Sequence, residues 1–318
     1  MTTTRTDFVS AIRAQDSFLL LTHRRPDGDT LGSAAALCRG LRALGKQASI
    51  LHNPDAIEKY SPFLQGLTVP QAPEGAVLLA VDIASESLLP DNARPLAGKI
   101  QLCIDHHGSN TGYAGLSWVQ PECAACGELV IALLEQLGVP ISAAMASALY
   151  LALSTDTGCF RFSNTTPNTL RRAAQMQEAG AETFAINRQF FSIKSLARLR
   201  LETMLGERLE VLAGGRIAVC SLTPELMRVC GATEADIEDL ANFPRQIEGV
   251  AAAVYIRVLP SGEAKISLRT DPGIDASRIC AHLGGGGHAA AAGAAVPEGL
   301  EAARAKILDA IALETGLA

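Results

Sequence analysis

The chain has 318 residues, enough for two domains of ordinary size. It is 48% hydrophobic and 19% charged, as expected of a soluble globular protein with a large core, and its formal net charge is −6. That acidic balance disfavours long duplex nucleic acid as a partner, because such binding depends on many phosphate contacts. It leaves room for a short anionic substrate held by a few local cations and a metal. No basic segment leads into a long apolar run near Met1, and no 18-residue apolar stretch occurs. The expectation is a cytoplasmic protein without a membrane partner.

The first half alternates short apolar runs with amphipathic helical patterns, which predicts βαβ units and a mostly parallel sheet. Residues 18–21 form the first strand-like run, directly before His23. Residues 30–44 read as a helix, with Asp29 or Thr30 at its N-cap and Gly45 at its end. Residues 47–51 read as a strand. Two further apolar runs follow, at 76–81 before Asp82 and at 100–104 before Asp105. Helices are expected over 127–137, 142–155 and 167–179. From 185 to 209 the pattern is polar and helical, with Arg188, Lys194, Arg198, Arg200 and Arg208, and predicts a helix connecting two domains.

A second α/β pattern follows. Gly214 and Gly215 separate strands at 208–213 and 216–222, a hairpin signal. Residues 260–262 separate strands at 250–259 and 264–270 in the same way. Helices are expected over 275–283 and 298–315. These features predict a smaller C-terminal α/β domain with an antiparallel or mixed sheet. The Ala/Gly-rich residues 289–295 are too few for a linker.

The chemistry-bearing residues concentrate after the apolar runs. His23, Asp27 and Asp29 lie in a segment with Pro26 and Gly28 that can turn tightly. Asp82 ends the next run, and Asp105, His106 and His107 end the one after. Asp156 follows a helix. In an open α/β sheet, ligands bind beyond the carboxyl ends of the strands. Three titratable residues straight after a buried strand are costly to desolvate unless paired or metal-bound. Four carboxylates with the imidazoles beyond Asp105 suffice for two divalent ions that share one bridging carboxylate. Oxygen ligands mixed with imidazole suit Mn²⁺ first, then Mg²⁺, Co²⁺, Fe²⁺ or Zn²⁺. Two such ions roughly 3.5–4 Å apart can activate water for an in-line phosphoryl displacement.

Gly284, Gly285, Gly286 and Gly287 run into His288. Without Cβ atoms, their amides can approach an anion closely. Arg269, at the end of the preceding strand, is shaped for bidentate phosphate contact. The eight cysteines are scattered, mostly in apolar stretches where a free thiol packs as a small hydrophobe. Cys123 and Cys126 have redox or zinc spacing but no second pair nearby, so they read as small residues opening a helix.

These motifs together resemble the DHH phosphoesterase superfamily in its two-domain DHH plus DHHA1 form, and within it the bifunctional oligoribonuclease and PAP phosphatase (nanoRNase) group. The matching segments are His23-x-x-x-Asp27-x-Asp29, Asp82, Asp105-His106-His107, residues 155–161 from Thr155 through Asp156 and Gly158 to Arg161, and the glycine run to His288 with Arg269 upstream. They span nearly the whole chain. The resemblance implies a DHH domain over 1–186, a connecting helix over 187–209 and a DHHA1-like substrate-binding domain over 210–318. It also implies a metal-dependent phosphoric ester hydrolase of oligoribonuclease and bisphosphate nucleotidase type. His23, Asp27 and Asp82 would hold one Mn²⁺; Asp29, Asp82, His106 and Asp156 would hold the other. Asp105 would orient an imidazole, and His107 would stand near the scissile phosphate. Arg269, Gly285, Gly286, Gly287 and His288, with Arg161, would contact the substrate. That substrate would be an RNA of about two to five nucleotides or 3′-phosphoadenosine 5′-phosphate (pAp). A cleft between the domains would limit its length, and the apolar helices would suit a homodimer.

Four other readings compete. An inorganic pyrophosphatase of the superfamily carries a different second domain, without the glycine-rich His288 segment. A RecJ-like exonuclease is longer and has an added oligonucleotide-binding domain. A cyclic or linear dinucleotide phosphodiesterase shares all the motifs above. A non-catalytic nucleotide-binding module would usually have lost a ligand, and here every expected ligand is present.

Overall fold

The computed structural model describes residues 5–237 and 239–317, and the chain forms two compact units, Met1–Ile193 and Lys194–Ala318. Unit one opens with α1 (Arg5–Ala14), β1 (Ser17–Leu21), α2 (Gly28–Ala43) and β2 (Gln47–Leu51). A short α3 (Ser61–Leu64), β3 (Thr68–Val69), β4 (Val77–Val81), β5 (Leu102–Asp105) and β6 (Leu116–Val119) follow. Then come α4 (Cys126–Leu137), α5 (Ala143–Asp156), α6 (Pro167–Glu178) and α7 (Thr183–Asn187). The six strands form one sheet in the order β3-β2-β1-β4-β5-β6, and every pairing is parallel.

The strands read as continuous apolar runs because both faces of the sheet are covered. Phe18, Leu20, Leu79, Val81 and Ile104 join the main core with α2, α4 and α5. Leu19, Leu21, Leu78, Ala80 and Cys103 form a second, smaller core on the other face with Ile83, Leu89 and Ala93. Helix α2 crosses α5 closely at Gly32, where a Cβ would stand 2.3 Å from the Ala148 carbonyl oxygen. This crossing sets α2, whose first turn carries Asp29, directly after the segment that carries His23 and Asp27.

Helix α2 begins two residues earlier than its sequence pattern indicates. Asp27 is the N-cap, and its Oδ1 accepts from the amides of Asp29 (3.0 Å) and Thr30 (3.1 Å). Pro26 and Gly28 mask this start, since both are turn formers. Asp29 therefore lies in the first helical turn and not at the cap.

The polar stretch at 185–209 is not one helix. A π-helical turn at Arg188–Ser192 follows α7, and the backbone is extended at Ile193. Ser195 then caps α8 (Leu196–Glu207), accepting from the Arg198 amide at 2.9 Å. An internal serine cap is what the polar pattern concealed. Leu201 and Leu205 of α8 are fully buried against Cys220, Leu222 and Leu226 of unit two.

Unit two continues with β7 (Glu210–Leu212), β8 (Ile217–Leu222), α9 (Pro224–Cys230), β9 (Ala252–Val258) and β10 (Ala264–Thr270). It closes with α10 (Ala276–Ala281), β11 (Gly286–His288), β12 (Ala291–Val296) and α11 (Leu300–Thr315). The sheet order is β11-β12-β10-β9-β8-β7, with β8 and β9 parallel and the other pairs antiparallel. The glycine run is thus partly a strand, and residues 289–295 lie mostly in its antiparallel partner. Their alanines and glycine gave no β-branched signal for a strand.

Among the described residues no helix is long and apolar enough to cross a membrane. Gly32→Ala places a methyl group against the backbone of α5. It is expected to lower unfolding free energy by about 1–3 kcal/mol, as overpacking does. Urea denaturation checks this, and unchanged stability would mean that the two helices separate at no cost.

Candidate metal centre

Strands β1 and β4 are neighbours at the middle of the first sheet, and the order runs outward from them in both directions. Such a switch point opens a crevice beyond the strand ends. The segment after β1 brings His23 and Asp27 there, and the residue after β4 brings Asp82. The end of β5 supplies Asp105, His106 and His107, and the last residue of α5 supplies Asp156. Three groups of side chains converge closely enough to hold an ion: His23, Asp27 and Asp82; Asp29, His106 and Asp156; and Asp82, His106 and His107.

Each of two histidines is oriented from behind by a backbone carbonyl. His23 Nδ1 lies 2.9 Å from the Arg24 oxygen, and His106 Nδ1 lies 3.1 Å from the Cys123 oxygen. Both rings therefore donate through Nδ1 and leave Nε2 as a free ligand atom. His23 Nε2 stands 3.6 Å from Asp27 Oδ1 and 3.8 Å from Asp82 Oδ2. His106 Nε2 stands 3.2 Å from Asp156 Oδ2, 3.5 Å from Asp82 Oδ1 and 3.7 Å from Asp29 Oδ2. Two donors each about 2.1 Å from one ion are roughly 3–3.5 Å apart, close to these spacings. Asp82 turns one oxygen toward each histidine.

Asp82 itself shows that a cation fits. It is 2% exposed, and its Oδ1 accepts no hydrogen bond although the imidazole nitrogens of His106 and His107 are both 3.5 Å away. An orphaned buried carboxylate oxygen costs free energy unless something positive completes it. Its backbone is left-handed, with φ of 61°, and its amide donates to the Ile104 carbonyl at 2.9 Å. A non-glycine residue held in that region stores about 1–3 kcal/mol, and such strain clusters at functional sites.

Asp29 is completely buried and is held by the start of α4. Its Oδ2 accepts from the Cys126 amide at 2.6 Å, and its Oδ1 from the Gly127 amide and Ser33 Oγ, both at 3.0 Å. Burial and the charge of Asp156 nevertheless push its pKa up to about 8. Burial and the carboxylates of Asp29, Asp27 and Asp156 push Asp82 well above the ordinary range. Burial opposes a charged His106, but the hydrogen bond to Asp156 and the charge of Asp29 win and raise it to about 10. His23 is raised in the same manner by Asp27, against its burial.

Asp105 serves a different neighbour. Its Oδ1 accepts from His107 Nδ1 at 2.8 Å and from the His107 amide at 3.2 Å. Burial would raise its pKa, yet the hydrogen bonds from His107 and Asn110 hold it below the usual carboxylate range. Asp105 thus orients His107, while a main-chain carbonyl orients His106.

Arg161 lies in the turn after α5 and donates from Nε to the Gly158 carbonyl at 2.6 Å. Gly158, Cys159 and Phe160 before it are all left-handed, with φ of 56°, 59° and 62°. Arg269, Ala291 and His288 form one row across β10, β12 and β11. Residues directly paired across a sheet project to the same face, so Arg269 and His288 flank a small residue there. Burial and nearby Arg245 lower the Arg269 pKa, and its one side-chain hydrogen bond among the described residues is to the Leu268 carbonyl at 3.2 Å. Gly285 and Gly287 serve packing. A Cβ on Gly285 would lie 2.2 Å from the Gly293 oxygen, and one on Gly287 would lie 2.6 Å from the Ala291 oxygen. Gly286 faces open space.

The sequence pattern missed several supports. Asn53 follows β2 as Asp82 follows β4, and its Nδ2 donates to Thr22 Oγ1 (2.9 Å) and the His23 carbonyl (2.8 Å). Its place at a strand end was the available signal. Asn164 Nδ2 bridges the carbonyls of Ala124 (3.2 Å) and Asp156 (3.1 Å), which no local pattern discloses. The cysteines are all free, and Cys126 begins α4, as the small-residue reading expects.

A parallel sheet whose switch point gathers aspartates and histidines is the frame of a divalent-metal phosphoesterase. Family models match the chain accordingly: the DHH family N-terminal domain over residues 17–153 and the DHHA1 domain over 223–313. The chain belongs to the DHH family in its DHHA1-containing form, and it is a phosphoric ester hydrolase dependent on divalent metal. It is 36% identical over 300 residues to the bifunctional oligoribonuclease and PAP phosphatase NrnA of Thermus thermophilus, covering 92% of this chain and 88% of that one. The protein of the same name from Bacillus subtilis is 25% identical, with 92% and 93% covered. The cyclic-di-AMP phosphodiesterase PdeA of Listeria monocytogenes is 25% identical over 87% of this chain but only 44% of its own length. The crystal structure of an exopolyphosphatase-related protein from Bacteroides fragilis shares the fold, with a TM-score of 0.84 at 24% identity over 96% of this chain and 94% of that one.

Asp82→Asn keeps a residue that tolerates the left-handed backbone but removes the charge. It is expected to weaken Mn²⁺ binding more than about tenfold in titration calorimetry; undiminished affinity would remove Asp82 from the ligand set. The pKa shifts also set a pH dependence. Asp29 is raised from 3.8 to about 8, so the metal-free fold loses stability as pH rises between those values. His106 is raised from 6.5 to about 10, so its stabilisation is present below 6.5 and lost toward 10. Both act in one direction, and a bound cation replaces the lost protons. The rise in melting temperature on adding Mn²⁺ should therefore be larger at pH 8 than at pH 6, as scanning calorimetry at both pH values would record. An equal or smaller rise at pH 8 contradicts the shifts.

Proposed function

We propose that this enzyme hydrolyses short oligoribonucleotides of about two to five nucleotides, together with pAp, using two divalent ions, preferably Mn²⁺. The observation that carries this reading is the position of Asp82, one oxygen toward His23 and the other toward His106, joined to 36% identity with an oligoribonuclease and PAP phosphatase along almost the whole chain. In this proposal His23, Asp27 and Asp82 hold one ion, and Asp29, Asp82, His106 and Asp156 hold the other. When bound, the ions would polarise the phosphoryl oxygens and lower the pKa of the attacking water.

The protein groups do the rest. Attack of water forms one P–O bond as the ester P–O bond breaks; the attacking water releases a proton to solvent, and the departing oxygen takes one. His107, bound through Nδ1 to Asp105, delivers that proton from Nε2 as the imidazolium. Arg269 and His288, on one face of the second sheet, bind a substrate phosphate, with main-chain donors from Gly286 and Gly287 and an added contact from Arg161; the Gly285 amide, expected from the sequence to join them, instead donates to the Cys280 carbonyl at 2.9 Å. Arg269 suits this because it is half-buried without a carboxylate ion pair among the described residues. A second reading, hydrolysis of cyclic or linear dinucleotides, is favoured by the similarity to PdeA.

One Mn²⁺-dependent assay separates these readings. It would compare pAp, the linear dinucleotide pApA, cyclic di-AMP, RNA of two to five nucleotides, a 20-mer and pyrophosphate, with Asp156→Ala as control. Turnover of short RNA and pAp that the control lacks is the expected result. Preference for cyclic di-AMP would select the second reading, and preference for the 20-mer would reject both. Arg269→Ala is expected to raise KM for pAp about tenfold, with a smaller change in kcat. Unaltered kinetics would remove Arg269 from substrate binding.

A further inference from the structure

We propose that Asn110 is a positioning residue for phosphoester hydrolysis, holding Asp105 so that His107 is kept on Asp105 and off Asp82. The inference rests on the reading of the site given above and assigns a role to a residue outside the metal-binding groups. Asp105 is fully buried at the end of β5, and its two oxygens are divided between two partners. Oδ1 takes His107 Nδ1 at 2.8 Å, while Oδ2 takes Asn110 Nδ2 at 2.6 Å. Asn110 is itself fixed on three sides. Its amide donates to the His107 carbonyl at 3.1 Å, its Oδ1 accepts from the Gly112 amide at 2.8 Å, and its Nδ2 also reaches the Ile83 carbonyl at 3.3 Å.

The need for such a hold follows from a competition. His107 Nδ1 has two carboxylate oxygens within reach: Asp105 Oδ1 at 2.8 Å and Asp82 Oδ1, otherwise unpartnered, at 3.5 Å. Without the Asn110 donor, Oδ2 of Asp105 would be a buried acceptor lacking its shortest hydrogen bond, a loss that favours rotation of the carboxylate. The ring could then move 3.5 Å-range neighbours into contact by swinging to Asp82. That swing would misdirect Nε2 and occupy Asp82 Oδ1, the oxygen that faces His106. Asn110 therefore fixes the ring and protects the shared aspartate in one contact.

The test is a double-mutant cycle with an independent spectroscopic readout. Asn110→Ala, assayed with Mn²⁺ on pAp and short RNA, is expected to lower kcat about 10- to 100-fold with KM changed less than about twofold. Asn110→Asp retains the acceptor for the Gly112 amide but puts a carboxylate oxygen where Nδ2 donates to Asp105 and Ile83, so it should show at least the same loss. In a His107→Ala background, Asn110→Ala should have less than about a twofold further effect, because residues acting as a unit are not additive. Nitrogen-15 NMR of His107 in the Mg²⁺-loaded protein should report a protonated, hydrogen-bonded Nδ1 in the native chain, and altered ring shifts in both Asn110 variants. An equal loss with and without His107, or unaltered kcat and ring shifts in both variants, would overturn the proposal. If the native protein hydrolyses none of the phosphoesters, the proposed substrate fails, while the NMR comparison still decides whether Asn110 governs His107.

Discussion

Mutual repulsion among buried carboxylates is the constraint on which this structure turns. Asp27, Asp29, Asp82, Asp105 and Asp156 meet around one crevice, and burial together with neighbouring charge pushes Asp29 and Asp82 far up. Two like charges about 4 Å apart cost about 4 kcal/mol at an effective dielectric near 20. No arrangement of apolar core relieves that. The protein answers with fixed partial charges where it can: the first amides of α4 on Asp29, those of α2 on Asp27, and Asn110 with His107 on Asp105. Among the described residues, Asp82 Oδ1 is the fully buried carboxylate oxygen left without a donor. The need for a cation is thus built into the main-chain geometry of the crevice.

The parallel sheet makes this concentration of charge feasible. Its strands are apolar on both faces and carry the stability, so their ends are free to carry unfavourable groups. The ends of β1, β4 and β5 deliver residues to the same crevice, and the helices behind it supply N-terminal amides. The imidazoles are treated with similar economy. His23 and His106 lean on main-chain carbonyls, which no side-chain substitution can remove, whereas His107 leans on a carboxylate that itself needs a partner. The more reactive the expected role of the ring, the more elaborate its support.

The second unit offers the opposite electrostatics. Arg269 lies half-buried in a row with Ala291 and exposed His288, and burial lowers its pKa where Asp29 and Asp82 of the first unit are raised. The neighbouring glycines owe their identity to the closeness of β12, whose backbone would collide with any Cβ on Gly285 or Gly287. Anion contact by their amides is a separate proposal; packing leaves Gly284 and Gly286, which both face open space, unexplained, although Gly284 has a left-handed φ of 72°.

Much of this was legible along the chain. The apolar runs before His23, Asp82 and Asp105 marked parallel strands, and the spacing of acidic and imidazole residues after them marked a metal crevice. Hydrophobic periodicity and strand-end position are local properties, so a linear reading recovers them. The serine cap inside 185–209, the strand hidden in residues 289–295 and the early start of α2 were not recovered, because caps and small-residue strands are decided by what packs beside them. The same holds for the finer chemistry. That Asp105 faces His107 and not His106, that Asp82 adopts a left-handed backbone with one oxygen unpartnered, and that Asn110 and Asn53 stand behind the ligand-bearing loops all depend on residues brought together by the sheet. Residue types and their order determined that this chain would gather candidate metal ligands; only tertiary packing decided which of their atoms converge and which are held by the main chain.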